Sequence, residues 1–402
     1  MVCPAPAARP AMPRVFAWAW VCCLCWVFII GCSATNKQSI VSDPPSTLLT
    51  PGTTTLPLKL TTAQSTTCRW GLQNSSYGAL PHTFAGVGST THSTTLRGLS
   101  GTLELTTIHV RCAAFPTDAL ALVYRCLPDT EAAPFPRLGN LWGSSNFKGH
   151  PEGLAYAARR SSLWLGSTWT AQEIAELRKL NPGTIVLTSI NACETNRQDL
   201  PNDYYLTNIT RPSSTKGRLQ SWPGAWRLDL TNPAVQKMQA SLMYGLVAFG
   251  GEESGPVNKT VGEPAPLIFD GLFVDNVFMD DGAGANRHDI FHNSFTPIDH
   301  ATGKAMTNFN ERWRSGMVAE LELFRAMMPH ALLDGHAMHL EDANISTNFN
   351  AISIGFTTPE IIEGRTSFAE GYKTYTDWMT LPQREPRITM VESAVRFQLG
   401  YG

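Results

Sequence analysis

The chain has 402 residues, with 31 Lys and Arg against 33 Asp and Glu and a formal net charge of −2. That balance supplies no basic field to follow a phosphate backbone, which excludes nucleic acid as a partner class. Hydrophobic residues make up 43% of the sequence and charged ones 16%, enough apolar material for a sizeable core divided among two or three domains.

The first predicted element is a targeting segment over residues 1–31. Arg9 and Arg14 precede an uncharged apolar run over residues 15–30, the layout of a secretory signal. A run of this length also suits a membrane helix. Against that reading, Ile29-Ile30-Gly31-Cys32 resembles the bacterial lipobox. The resemblance implies cleavage before Cys32 and lipidation of its thiol. It also implies an extracytoplasmic place in the bacterial cell envelope, with the membrane as partner through that lipid. Residues 32–60 are rich in Ser, Thr and Pro and read as a tether.

Over residues 61–130 short β-type runs alternate with turn residues, clearest at 103–110 and 119–124. They predict a small all-β sandwich. The series Cys68-Arg69-Trp70, His92-Ser93, Leu96-Arg97-Gly98-Leu99 and Val110-Arg111-Cys112 is similar to fibronectin type III-like modules of bacterial surface proteins. Once the lipidated cysteine is set aside, Cys68, Cys112, Cys126 and Cys193 remain and allow three pairings. Cys68–Cys112 is preferred, because both flank the same predicted sandwich in an oxidising compartment. The spacings suit no zinc site.

From residue 136 to 402 the pattern changes to alternating strand and helix. Strands are predicted at 137–142, 162–166, 184–190, 267–277, 331–333, 351–356 and 387–392. Between them, Thr170 and Glu173 form a capping box, and Asn232-Pro233 opens a helix. Trp313, Met317, Leu321, Phe324 and Met328 stripe another helix, and Phe368, Tyr372, Tyr375 and Met379 a last one. Repeated βα units mean a parallel sheet, and seven in sequence favour a (β/α)8-type TIM barrel. The few residues after 392 leave no room for an eighth unit, so the barrel is expected to be C-terminally incomplete. No dinucleotide fingerprint, P-loop, nucleophile elbow or H-E-x-x-H helix occurs, so no cofactor and no metal are expected.

In such a barrel the site lies at the C-terminal ends of the strands. Carboxylates gather there: Glu194 after the third strand, Asp275 on the fourth, Asp334 on the fifth, Glu363 after the sixth and Glu392 on the seventh. Paired carboxylates suit glycosidic cleavage, in which one protonates the leaving oxygen while the other attacks the sugar or activates water. Asp275 is the first candidate, with Glu363 as acid and Glu392 as acid or sugar ligand. Each has a structural alternative, as brace or helix cap. Asn276, Glu194 and Asp334 are candidate substrate contacts. Trp142, Trp169 and Trp226 are candidates for stacking on sugar faces, although packing is the commoner role of buried indoles. Asp270 precedes its strand and reads as a turn residue.

Three motifs carry a family resemblance. They are Trp226-Arg-Leu-Asp229-Leu-Thr-Asn-Pro233, Phe269-Asp270-Gly271-Leu-Phe-Val274-Asp275-Asn276, and Ile352-Ser-Ile-Gly-Phe356 with Glu363-Gly364. Residues 136–402 resemble the hypothetical glycosyl hydrolase barrels, most of all their family 15 group. More loosely they are similar to polygalactosaminidase and α-galactosidase barrels. The resemblance implies a surface-anchored glycoside hydrolase acting on a polysaccharide or glycan, with a nucleophilic aspartate at Asp275. A non-catalytic glycan-binding or adhesive lipoprotein on the same scaffold is the competing expectation.

Overall fold

The computed structural model divides into two compact units, Met1–Gln38 and Ser39–Gly402. It describes residues 39–129, 139–141, 147, 150–212, 215–250, 265–277, 295–336, 343–356, 367–388 and 390–393. All of these lie in the second unit. Cys32, Trp142 and Glu363 lie outside the described residues, as does the apolar run before Cys32.

Residues 39–126 carry eight strands in two sheets. β1 (Ile40–Asp43), β3 (Thr55–Thr66) and β6 (Ser89–Arg97) form one. β2 (Thr47–Leu49), β8 (Phe115–Cys126), β7 (Thr106–Cys112), β4 (Cys68–Gly71) and β5 (His82–Thr83) form the other. Both sheets feed one apolar cluster, with Leu58, Leu60 and Leu96 from the first and Trp70, Ile108, Val110 and Leu122 from the second. Cys68 and Cys112 stand opposite each other on β4 and β7. A disulfide joins them, with Cα atoms 4.1 Å apart.

The reading of residues 32–60 as a tether is corrected over its described part. β1, β2 and the first half of β3 lie there. In β3, Leu58, Leu60 and Thr62 are buried while Lys59, Thr61 and Ala63 face solvent. Leu-x-Leu alternation among β-prone threonines makes a half-buried strand, so the Ser/Thr composition reflects an exposed sheet face.

The larger part is built on a seven-stranded parallel sheet. Its strands are β9 (Gly139–Leu141), β10 (Leu163–Leu165), β11 (Ile185–Asn191), β15 (Gly271–Asp275), β18 (Leu332–His336), β19 (Ala351–Phe356) and β20 (Met390–Ser393). Each predicted strand segment contains or overlaps one of them. Neighbours in the sheet follow chain order throughout. Each crossover therefore steps the same way, and the described sheet lacks the reversal that defines a doubly wound fold.

Helices fill the crossovers: α1 (Gly153–Arg160), α2 (Ala171–Leu180), α3 (Pro233–Phe249), α4 (Phe309–Met327), α5 (Ala343–Ser346) and α6 (Phe368–Thr380). Local chemistry explains their starts. Thr170 and Glu173 close a capping box on α2, and Ser367 and Glu370 close another on α6. Asn232 caps α3 ahead of Pro233. The predicted stripe of α4 is fully buried at Trp313, Met317, Leu321 and Phe324.

Two short excursions stand beyond the strand ends. β12 (Glu194–Thr195), β14 (Ala225–Arg227) and β13 (Gln220–Trp222) form an antiparallel sheet after β11. β16 (Ile298–Asp299) and β17 (Lys304–Ala305) pair between β15 and α4. At the opposite end of β15, Asp270 is fully buried beneath three donors. Arg125 Nη1 donates to its Oδ1 at 2.8 Å, Arg178 Nη2 to both oxygens at 2.8 Å, and Val186 N to Oδ2 at 2.9 Å. Its reading as a turn residue is corrected: it ties the first β sheets, through Arg125, to the start of the parallel sheet.

Candidate active site

Strand register assembles the site. Asn191, Asp275, His336 and Ser353 are lateral partners on β11, β15, β18 and β19. Paired residues on neighbouring strands share a face, so three successive strand ends present Asn, Asp and His in one row. One row deeper run Ser189, Phe273 and Asp334. Gly355 and Glu392 are partners on β19 and β20, so Glu392 stands at the same end of the sheet.

His336 Nδ1 lies 2.7 Å from Asp275 Oδ1. A carboxylate only accepts, so Nδ1 carries the proton and donates. The Asn276 amide donates to the same oxygen at 2.9 Å. Asp275 and His336 keep 27% and 32% of their side-chain surface exposed, open enough to meet a substrate. The tilted Phe273 ring, with its centroid 5.3 Å from that of His336, packs against the imidazole.

Asn276 is the hinge of the site. It sits at φ 56°, a left-handed conformation that asparagine tolerates better than most residues. This turns the chain off β15 and brings Asn276 Nδ2 to Glu194 Oε2 at 3.2 Å. Glu194 Oε2 also accepts from Asn191 Nδ2 at 3.1 Å. Glu194 and Arg227 are cross-strand partners on β12 and β14, with Nη1 and Oε1 3.2 Å apart. With 6% of its side chain exposed, Glu194 is a buried anion that holds Asn276, and through it the chain beside Asp275.

Arg227 Nη1 also reaches Cys193 Sγ at 2.7 Å. Burial pushes the Cys193 thiol up to about 12 against the pull of Arg227, with Glu194 and Glu320 adding to the rise. Cys193 is therefore a neutral, inert part of the packing. Gln239 on α3 pins the turn from outside, its Nε2 donating to the carbonyls of Asn191 and Ala192 at 3.1 and 3.2 Å.

The other sequence candidates separate. Asp334 is fully buried in the deeper row. Trp226 is partly buried against the main core. Trp169 is 3% exposed and packs edge-on to Trp164 at 5.2 Å, away from Asp275. Asp229, in the first resemblance motif, accepts from Thr231 N and Oγ1 at 3.0 and 2.7 Å and shapes the turn into α3. A cleft of about 520 Å³ lined by Gly166, Trp169, Ser189, Gly250 and Phe269 includes neither Asp275 nor His336. Among the described residues no cluster of three His, Cys, Asp or Glu could hold a metal. No described helix is long and apolar enough to cross a membrane.

Sequence reasoning missed His336 as the partner of Asp275. The signal was there: both end strands that neighbour each other if consecutive βα units pair. Arg227 and Asn276 as organisers of Glu194 carried no local signal, since their contacts depend on the excursion after β11.

No family model matches the chain, and no curated protein matches it. Several solved structures are similar in part. A single-substitution variant of the glycoside hydrolase domain of PelA from Pseudomonas aeruginosa is 12% identical over 55% of this chain and 67% of that chain, with a TM-score of 0.28. A Bacteroides ovatus GH5 xyloglucanase in complex with a XXXG heptasaccharide is 11% identical over 80% and 72%, with a TM-score of 0.21. Bacteroides thetaiotamicron EndoBT-3987 with Man5GlcNAc product is 12% identical over 77% and 74%, with a TM-score of 0.25. Likenesses this slight place no residue of the chain in a role.

Proposed function

We propose that this chain is a glycoside hydrolase that cleaves a polysaccharide or glycan, with Asp275 as its reacting carboxylate. The observation that carries the reading is Asp275 itself: a solvent-reachable carboxylate at the C-terminal end of a central parallel strand, held on one oxygen by His336 and Asn276. In a (β/α) barrel, this is where catalytic side chains stand. The parallel sheet is read as most of such a barrel, and residues 39–129 as a fibronectin III-like module before it.

In the proposed reaction Asp275 attacks the anomeric carbon. A second carboxyl group, Glu363 or Glu392, gives its proton to the glycosidic oxygen, and the aglycone leaves as an alcohol. Water then attacks the glycosyl-enzyme, giving its proton back to that second group and freeing Asp275. A separation of about 5–5.5 Å between the two carboxyls fits this retaining course, and about 6.5–9.5 Å fits inversion with Asp275 as base. The reading also places the protein on the bacterial cell envelope, lipid-anchored through Cys32. Mass spectrometry of the mature N-terminus tests that point, and a start at any residue other than an acylated Cys32 overturns it.

The main test is release of reducing ends from a panel of polysaccharides. Asp275→Asn should lower kcat by several orders of magnitude and leave glycan affinity nearly unchanged. Near-normal turnover in the folded variant would make Asp275 structural. Glycan binding by a wild type that hydrolyses nothing would favour the adhesive reading.

A further inference from the structure

We infer that His336 is the positioning residue of this site: its hydrogen bond to Oδ1 of Asp275 fixes the carboxylate and leaves Oδ2 as the oxygen that reacts. The inference rests on the reading of Asp275 as the reacting group.

The argument is one of oxygen count. Among the described residues, both donors to Asp275 fall on Oδ1: the His336 imidazole at 2.7 Å and the Asn276 amide at 2.9 Å. Two donors on one oxygen stop rotation of the carboxylate about its Cβ–Cγ bond. The Asn276 donor is set by the backbone and cannot be tuned. His336 is a side chain on the neighbouring strand, braced by Phe273 from below. A pre-positioned nucleophile avoids the reorganisation that a mobile carboxylate would undergo in the transition state.

The experiment compares His336→Ala, His336→Asn and His336→Gln in the full chain. The asparagine amide occupies roughly the position of Nδ1, whereas that of glutamine reaches the position of Nε2. The first readout needs no turnover. With 13C-labelled aspartate, the Cγ resonance of Asp275 is assigned by its disappearance in Asp275→Asn. That resonance should move from its wild-type position in His336→Ala and His336→Gln and stay near it in His336→Asn. The second readout is kcat and KM on whichever glycan is cleaved. In His336→Ala and His336→Gln kcat should fall about 10- to 100-fold with KM little changed, and His336→Asn should recover most of that loss. A residue that only packs would lower stability in all three variants and leave no contrast between Asn and Gln in either readout. An Asp275 resonance unmoved in the Ala and Gln variants overturns the inference. If no glycan is hydrolysed, the resonance still decides the pairing, while the glycosidase reading fails separately. Should His336→Ala not fold, the contrast between Asn and Gln carries the same decision.

Discussion

Glu320 shows what a carboxylate looks like when it is not kept for chemistry. It is fully buried on α4, and neither oxygen has a hydrogen-bond partner among the described residues. Burial pushes its carboxyl well above the usual range, so the folded protein holds it neutral. A raised folded-state value sets the sign of the linkage. The contribution of Glu320 to stability is complete below pH about 4.5, the ordinary carboxyl value, and is lost as pH climbs through the folded-state value. Glu320→Gln removes the ionisation and keeps the shape. Thermal melts between pH 5 and 8 should show the variant higher by a few degrees at the alkaline end and level with wild type at the acid end. Equal pH slopes in both proteins would mean that Glu320 is solvated or paired. At this scale the sequence was a poor guide. Glu320 sits in a helix stripe with no sign of strain, and Trp169 gave no local sign of its packing against Trp164.

β15 is the element on which most of the molecule converges, and its two ends do opposite jobs. Gly271 opens it where an added Cβ would fall 1.8 Å from the Leu332 carbonyl oxygen on β18, so the Asp-Gly pair is fixed by backbone crowding on one side and an ion cluster on the other. Burial raises the Asp270 carboxyl. The Arg178 and Arg125 guanidiniums and the Val186 amide outweigh that and leave it below its ordinary value. Stability from Asp270 is therefore present above the ordinary carboxylate range and lost as pH falls through the folded-state value. Asp270→Ala leaves Arg125 buried without its carboxylate and should cost about 3–5 kcal/mol in chemical denaturation, against less for the more exposed Arg178→Ala. A loss under about 1 kcal/mol would show the cluster to be replaceable. Elements were the most legible part of the sequence, because caps and apolar periodicity are local. The strands at Ala351–Phe356 and Ile185–Asn191 and the caps at Thr170 and Asn232 needed no tertiary information. The Asp-Gly motif was visible too, but its reason was not. Arg125 is 145 residues away from Asp270, and no local pattern announces a partner at that distance.

For the molecule as a whole, the first β sheets and the parallel sheet do not read as independent bodies. Leu48, Val123 and Leu127 come from the first part, yet they belong to the same apolar cluster as Leu163, Ile185 and Leu187 of the parallel strands. Arg125 adds bonds to the carbonyls of Leu267 at 3.0 Å and Phe269 at 2.9 Å. Tyr244 on α3 donates to the Ser46 carbonyl at 3.4 Å. The Arg125 bonds sit at the N-terminal end of β15, opposite Asp275, so the first sheets brace the parallel sheet from that end. Each aliphatic side chain uncovered by their removal forfeits roughly 1.5–3 kcal/mol of burial, and the loss of Arg125 leaves Asp270 with a single cation. A chain of residues 130–402 should therefore be insoluble or unfold well below residues 39–402. The longer chain should melt in one transition, with tryptophan fluorescence and protection of the Cys68–Cys112 disulfide from reductant changing together. A soluble 130–402 fragment with the melting temperature of the longer chain would show that the first sheets are an appendage, and that the parallel sheet holds Asp275 in place without them.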